Sequence, residues 1–239
     1  MKPRISLLLL FTLIFFLPTD LSAQNKPVTF GIKAGMNWSN SSISVDDGFD
    51  DLSSKHTKKG FQLGVTVDLR VSRSFYFLSG LSYTAKGVIV SEENSPMHSG
   101  NPNTRRDRDL EINLPYLQLP LMLAYKVQIM PSTRLVLSAG PYLACGIGGT
   151  MKFNSIVTNG GWWEDEDLDS FGERSFRRFD YGLAIGAGLE VRNFCLHFNY
   201  EWGGQNCNRD SYDSDIFMIF HREYKNRNAS LTLGYKFWK

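Results

Sequence analysis

Residues 179–191 read FDYGLAIGAGLEV, a stretch open to three readings: a glycine-rich nucleotide loop, an apolar helix, or an extended strand. Sorting it by parity decides between them. The odd positions Phe179, Tyr181, Leu183, Ile185, Ala187, Leu189 and Val191 are all apolar, and the even positions hold Asp180, Gly182, Ala184, Gly186, Gly188 and Glu190. A period of two puts each set on its own face of a strand, whereas a helix would spread both around its circumference. The glycines do not follow G-x-G-x-x-G spacing and lie inside the alternation, which removes the nucleotide reading. The small, acidic face suits a narrow polar space, and the bulky face suits hydrocarbon. A small closed barrel in a bilayer offers both.

The same parity recurs along the chain. Val28, Phe30, Ile32, Ala34, Met36 and Trp38 alternate with Thr29, Gly31, Lys33, Gly35 and Asn37. Phe61 to Val71 alternate with Gln62, Gly64, Thr66, Asp68 and Arg70. FYFLSGLSYTAKG from Phe75 is less clean, because Tyr76 and Leu78 sit opposite Phe75, Phe77, Leu81 and Tyr83. YLQLPLMLAYKV sets Leu117, Leu119, Leu121, Leu123, Tyr125 and Val127 outward, with Pro120 on the other face, where a residue without an N–H predicts a bulge. RLVLSAGPYLACGIG from Arg134, FCLHFNYEW from Phe194 and ASLTLGYKFW from Ala229 complete the set. The expectation is an all-β, eight-stranded antiparallel up-and-down transmembrane barrel. The links after the second, fourth and sixth strands are short (72–74, 128–132, 192–193), and the others, roughly 41–59, 88–110, 149–178 and 203–228, are long. Short periplasmic turns alternating with four long outer loops are the signature of outer-membrane barrels. Tyr83, Tyr200, Trp202, Tyr235, Phe237 and Trp238 lie near strand ends, where aromatic girdles sit.

The chain opens with Lys2 and Arg4, runs apolar from Leu7 to Leu17 and reaches Leu21-Ser22-Ala23, the pattern of a secretory signal peptide over 1–23 that leaves one barrel domain over 24–239. That apolar run is too short for a spanning helix, which needs roughly 20 residues. Only a barrel spans with this composition, since lipid admits helices and closed barrels alone. The formal net charge of +2 gives no reason to expect nucleic acid. Cys145, Cys195 and Cys207 have no zinc-ligand spacing. Cys145 reads as a small hydrophobe, and a Cys195–Cys207 disulfide is left open.

FGIKAGMNWS, YTAKG, LPYLQLPLML, LSAGPYLA, FDYGLAIGAGLE and KNRNASLTLGYKF together resemble the PorT-like family of outer-membrane β-barrel proteins, over most of residues 28 to 238. Gln118 stands where members often carry an acid, and Lys239 follows the aromatic end. The resemblance implies a barrel without chemistry of its own and, for the founding type, a role in exporting proteins by the type IX route. Two other classes stand beside it: a surface barrel that binds a ligand or stabilises the envelope, and a barrel hydrolase using His197 or Glu201.

The inward set Lys33, Asp68, Arg70, Arg134, Asp180, Glu190, His197, Glu201 and Lys236 mixes both signs and reads as a structural ion-pair network filling the lumen. No nucleophile motif such as G-x-S-x-G accompanies His197, so no catalytic residue, cofactor or metal is assigned. In the outer links, Trp162 and Trp163 precede an acidic run to Asp167, a second acidic run covers 46–51, and neither follows the Ca²⁺-loop pattern. Ile216, Phe217 and Phe220 form an apolar run in the last link, read as wall packing or as a contact for another envelope or secretion protein. Arg105, Arg106, Arg108, Arg174, Arg177 and Arg178 are candidates to pair with the acids or with outer-membrane lipid headgroups.

Overall fold

Alternation of large apolar and small or polar residues puts each expected segment in a strand, and pairing closes them into a ring. The computed structural model describes residues 28–43, 53–96, 105–157, 161–171, 176–207 and 224–237. The signal-peptide segment, the acidic run 46–51, Arg174, Trp238 and the apolar run of Ile216, Phe217 and Phe220 lie outside them. The strands are β1 (Val28–Ile43), β2 (Ser53–His56), β3 (Lys58–Arg70), β4 (Phe75–Pro96), β5 (Arg105–Pro120), β6 (Met122–Met130), β7 (Thr133–Gly146), β8 (Thr150–Val157), β9 (Gly161–Asp169), β10 (Phe179–Val191), β11 (Phe194–Gly203) and β12 (Tyr224–Lys236).

Eight staves form the ring. β1 pairs with β3, β3 with β4, β4 with both β5 and β6, and these in turn with β7. β7 pairs with β10, β10 with β11, β11 with β12, and β12 returns to β1 over a register running from Gly31↔Lys236 to Ile43↔Tyr224. Every pairing is antiparallel, so through the ring backbone donors and acceptors meet partners without exposing an edge to lipid.

Accessibility follows parity as expected. Along β10 the odd residues are exposed, among them Leu183 at 63%, whereas Asp180 is fully buried and Glu190 nearly so. The inward glycines make room for the neighbouring stave: a Cβ on Gly188 would lie 1.9 Å from His197 Cδ2, and one on Gly186 would lie 2.3 Å from Asn199 Oδ1. Aromatic residues band the outer face at two levels. Near the short turns are Phe75 with Tyr125, 5.1 Å between ring centroids, and Phe194 with Tyr235, 5.2 Å. Towards the long links are Phe61 with Tyr83, 5.1 Å, and Tyr200 with Trp202, 4.6 Å.

Two expectations are corrected, and the open question of a Cys195–Cys207 disulfide is answered. The links read as long loops are strand over much of their length: β4 runs on to Pro96, β5 begins at Arg105, and β8 and β9 form a hairpin within 149–178. β8 continues the wall by pairing with β5, from Ile112↔Met151 to Arg106↔Val157. Pro120 does not make a bulge, because the register against β4 passes unshifted from Ser82↔Gln118 to Leu78↔Met122. Only the ladder is interrupted, and the carbonyl of Pro120 accepts from the Ser79 hydroxyl at 2.9 Å. The cysteines are free thiols: Cys207 is buried at the far end of the barrel, while Cys195 pairs with Gly234 near the short turns.

Candidate functional site

Two buried charge clusters occupy the lumen, one above the other. At the short-turn end Lys126, from β6, places its Nζ 2.6 Å from both Asp68 Oδ2 and Glu190 Oε1. Lys236, from β12, reaches the same two carboxylates, at 2.5 Å for Asp68 and in close contact with Glu190. Four staves are thereby tied by two cations shared between two anions, a geometry in which each charge retains a partner if one is lost. Arg134 adds a 3.4 Å contact from Nε to Glu190 Oε2 at the mouth. The Lys126 ammonium also sits 4.4 Å from the Tyr76 ring centroid, which explains the inward aromatic that blurred the parity of this strand.

The upper cluster has one cation. Lys86, fully buried, lies 2.9 Å from Glu201 Oε2, 3.9 Å from Asp180 Oδ2 and 4.4 Å from the Tyr142 ring centroid. Neutral donors supply the remainder: Glu201 accepts from Gln118 at 2.7 Å and from Asn228 at 3.2 Å, while Asp180 accepts from Asn226 at 2.9 Å and from the Tyr142 hydroxyl at 3.2 Å. An acid at position 118 would set a second carboxylate against Glu201, so the amide of Gln118 suits this lumen electrostatically.

Between the clusters lies a cavity of about 90 Å³ whose walls include Lys33, His197, Cys195, Asn199, Thr232 and Ser138. That is several times the roughly 10–15 Å³ that a single water requires. Above the upper cluster the interior is apolar. Val88, Val90, Leu110, Ile112, Leu114, Tyr116 and Met151 are buried there, with Phe171 and Phe176 from the segment before β10. The Phe171 ring meets Tyr116 edge-on at 5.6 Å and covers Gly146, where a Cβ would lie 2.2 Å from its Cζ.

The expected lumen network is therefore divided. Asp68, Glu190, Lys236 and Arg134 are joined in one cluster and Asp180 and Glu201 in the other. Lys33 and His197 face the cavity and belong to neither cluster. Arg70 leaves the lumen altogether, since the last residue of β3 stands at the open mouth and its Nε donates to the carbonyl of Ser72 at 3.2 Å. Sequence reasoning missed the central cations Lys86 and Lys126, although each shares the inward parity of its strand. Trp162 and Trp163 lie in β9, opposite Ile156 and Ser155 of β8. Arg105, Arg106 and Arg108 lie in β5. Arg178 stands 5.5 Å from the Phe171 ring centroid and donates to the carbonyl of Gly146 at 3.3 Å.

A closed ring with an apolar exterior, two aromatic bands and a charge-filled interior defines the class as a membrane-spanning β-barrel. The chain belongs to the family described as outer membrane protein beta-barrel domain, whose model matches residues 22–205, and its place is the outer membrane. Similar solved structures include Ail, the attachment invasion locus protein of Yersinia pestis, 19% identical over 88% of this chain and 99% of that one, with a TM-score of 0.38. OprG from Pseudomonas aeruginosa is 14% identical over 89% and 97%, with a TM-score of 0.44. The outer membrane protease OmpT from Escherichia coli is 12% identical over the same shares, also at 0.44. No curated protein matches the chain.

Proposed function

We propose that this is a closed, non-enzymatic outer-membrane barrel that presents a β-wall to other envelope or secreted proteins, as an accessory of protein export of the type IX kind that the PorT-like resemblance implies. The observation that supports it is the continuation of β4, β5, β8 and β9 past the outer aromatic band, above a lumen filled by side chains. From Thr84 to Pro96, β4 extends far enough to rise roughly 30 Å at ordinary strand spacing and barrel tilt. A wall of that height offers area for a partner. Among the described residues the lumen is occupied by the two charge clusters and the apolar packing above them.

A hydrolase reading finds little support in the geometry. Among the described residues the His197 ring makes no hydrogen bond, and Glu201 is committed to Lys86, Gln118 and Asn228. In planar bilayers the purified barrel is expected to give no sustained unitary conductance, and steady porin-like steps would contradict the closed lumen. Deleting the gene is expected to remove a defined class of proteins from the medium and accumulate it in the periplasm, read by quantitative mass spectrometry of both fractions. Matching profiles in deletion and parent strains would reject the export role and leave the surface-binding or envelope-stabilising alternative.

A further inference from the structure

Lys33 differs from the lysines of the two clusters. Lys86, Lys126 and Lys236 each touch a carboxylate. Lys33, on the inward face of β1, makes no hydrogen bond or ion pair among the described residues and lines the cavity between the clusters. Glu201 attracts it through space, but that carboxylate is already held by Lys86, Gln118 and Asn228. Other groups around the same cavity are in the same condition. The Ser138 hydroxyl and the amide oxygens of Gln62 and Gln118 are buried without hydrogen-bond partners. The side chains of His197 and Asn199 also line it and make no hydrogen bond among the described residues. These residues come from β1, β3, β5, β7 and β11, so the cavity gathers unpartnered polar groups from strands around the whole ring.

Charge decides what the cavity takes. The lower cluster, Lys126, Lys236 and Arg134 against Asp68 and Glu190, is positive by one, and the upper, Lys86 against Glu201 and Asp180, is negative by one. These offset each other, and Lys33 is the cation left over. Water satisfies hydroxyls and amides but carries no charge to balance an ammonium held inside a barrel in lipid. An anion does both. Ser138, Asn199 and His197 can donate to it beside the Lys33 ammonium. Gln62 and Gln118 present acceptors, so waters retained with the anion serve those two oxygens. A cavity of about 90 Å³ has room for a halide, or an anion of a few atoms, together with such waters.

We propose that the cavity is a binding site for one small monovalent anion, held by the Lys33 ammonium with the Ser138 hydroxyl and the Asn199 amide. It is a blind site, not a pore. The Lys86 cluster and the apolar packing beyond it lie on one side, and exchange runs past Arg134, whose side chain is 27% exposed at the short-turn mouth. The site does not depend on a role in export. The test uses the folded full-length barrel with bromide as the probe. Crystals grown with bromide in place of chloride are expected to show an anomalous peak in the cavity beside Lys33 Nζ. In solution, ³⁵Cl line broadening by the wild type, reversed by added bromide, gives the affinity. Lys33→Gln is expected to abolish the peak and weaken binding about tenfold or more, as loss of a hydrogen bond to a charged group does. Lys59→Gln, on the outer face of β3, is expected to change neither. Heat-modifiable migration verifies that each barrel is closed, and if Lys33→Gln does not fold, Ser138→Ala carries the test with a several-fold weakening. A cavity that holds water alone in bromide overturns the proposal. So does a peak at crystal concentration without line broadening in solution, or equal binding by the wild type and the folded cavity variant.

Discussion

Replacing Lys86 with methionine is expected to lower the unfolding free energy of the barrel in lipid vesicles by about 3–5 kcal/mol, the cost of leaving buried charge without its partner. Lys86 is the cation between Glu201, at 2.9 Å, and Asp180, at 3.9 Å. Gln118, Asn226 and Asn228 stay in place and donate hydrogen bonds, yet none supplies a positive charge. The comparison that gives the measurement its meaning is Lys126→Met. There Lys236 still reaches both Asp68 and Glu190, and Arg134 still stands beside Glu190. The lower cluster should therefore lose distinctly less. Urea titration of both variants in the same vesicles checks the ordering, and equal losses would show that the two clusters do not differ in the redundancy of their cations.

Leu233→Arg is expected to cost about 2–4 kcal/mol in the same assay, and Ala229→Arg about 0–1, because the penalty for a cation facing lipid falls from midplane to interface. Leu233 is 58% exposed and lies across from Ala34 and Leu196, between the two aromatic bands. Ala229 sits in the row of Trp38 and Tyr200. Both positions face outward, so a difference between them measures depth. Equal effects would place the hydrocarbon belt elsewhere on the barrel wall.

Parity made the eight staves legible wherever their outside meets lipid, as in β10, since there the apolar set is outward and the inside is small or polar. It failed above the outer aromatic band for a physical reason: a strand that leaves the bilayer exchanges its surroundings. Along β5, Leu110, Ile112 and Leu114 turn inward and Glu111 and Asn113 alternate with them, whereas from Leu117 onward the leucines turn outward and Gln118 turns in. Taken as one pattern, the inversion looks like the end of a strand and the start of a loop. The same exchange places Val88 and Val90 inside β4, beyond the point where the sequence expectation stopped. The β8–β9 hairpin was hidden differently, because consecutive Trp162 and Trp163 and the acids after them carry no period of two.

The lumen was half legible. Four carboxylates at inward parity required inward cations, and Lys236 and Arg134 were found by the same rule. Lys86 escaped because it stands near the end of the stretch YTAKG, where the lipid-facing pattern fades, and Lys126 because the outward leucines dominate the pattern of its strand. Arg70 shows the opposite error: its parity is inward, but parity does not say whether the lumen at that height is enclosed or open to water. Parity does not tell that His197 stands in the cavity rather than in a cluster, since Gly188 and the neighbouring stave fix where its ring lies.

The seam between β1 and β12 has a consequence in time. Seven of the eight contacts around the ring join staves that follow one another along the chain, so each can zip as a hairpin soon after its residues are available. The eighth, from Gly31↔Lys236 to Ile43↔Tyr224, joins the two most distant strands, and chain closure over such a separation is the slow step in β topologies. Until it forms, β1 and β12 each present an unpaired edge that lipid cannot satisfy. A lone barrel of this kind therefore reaches its stable state only when its last strand has arrived, and before that moment its first strand depends on some other edge to hold it.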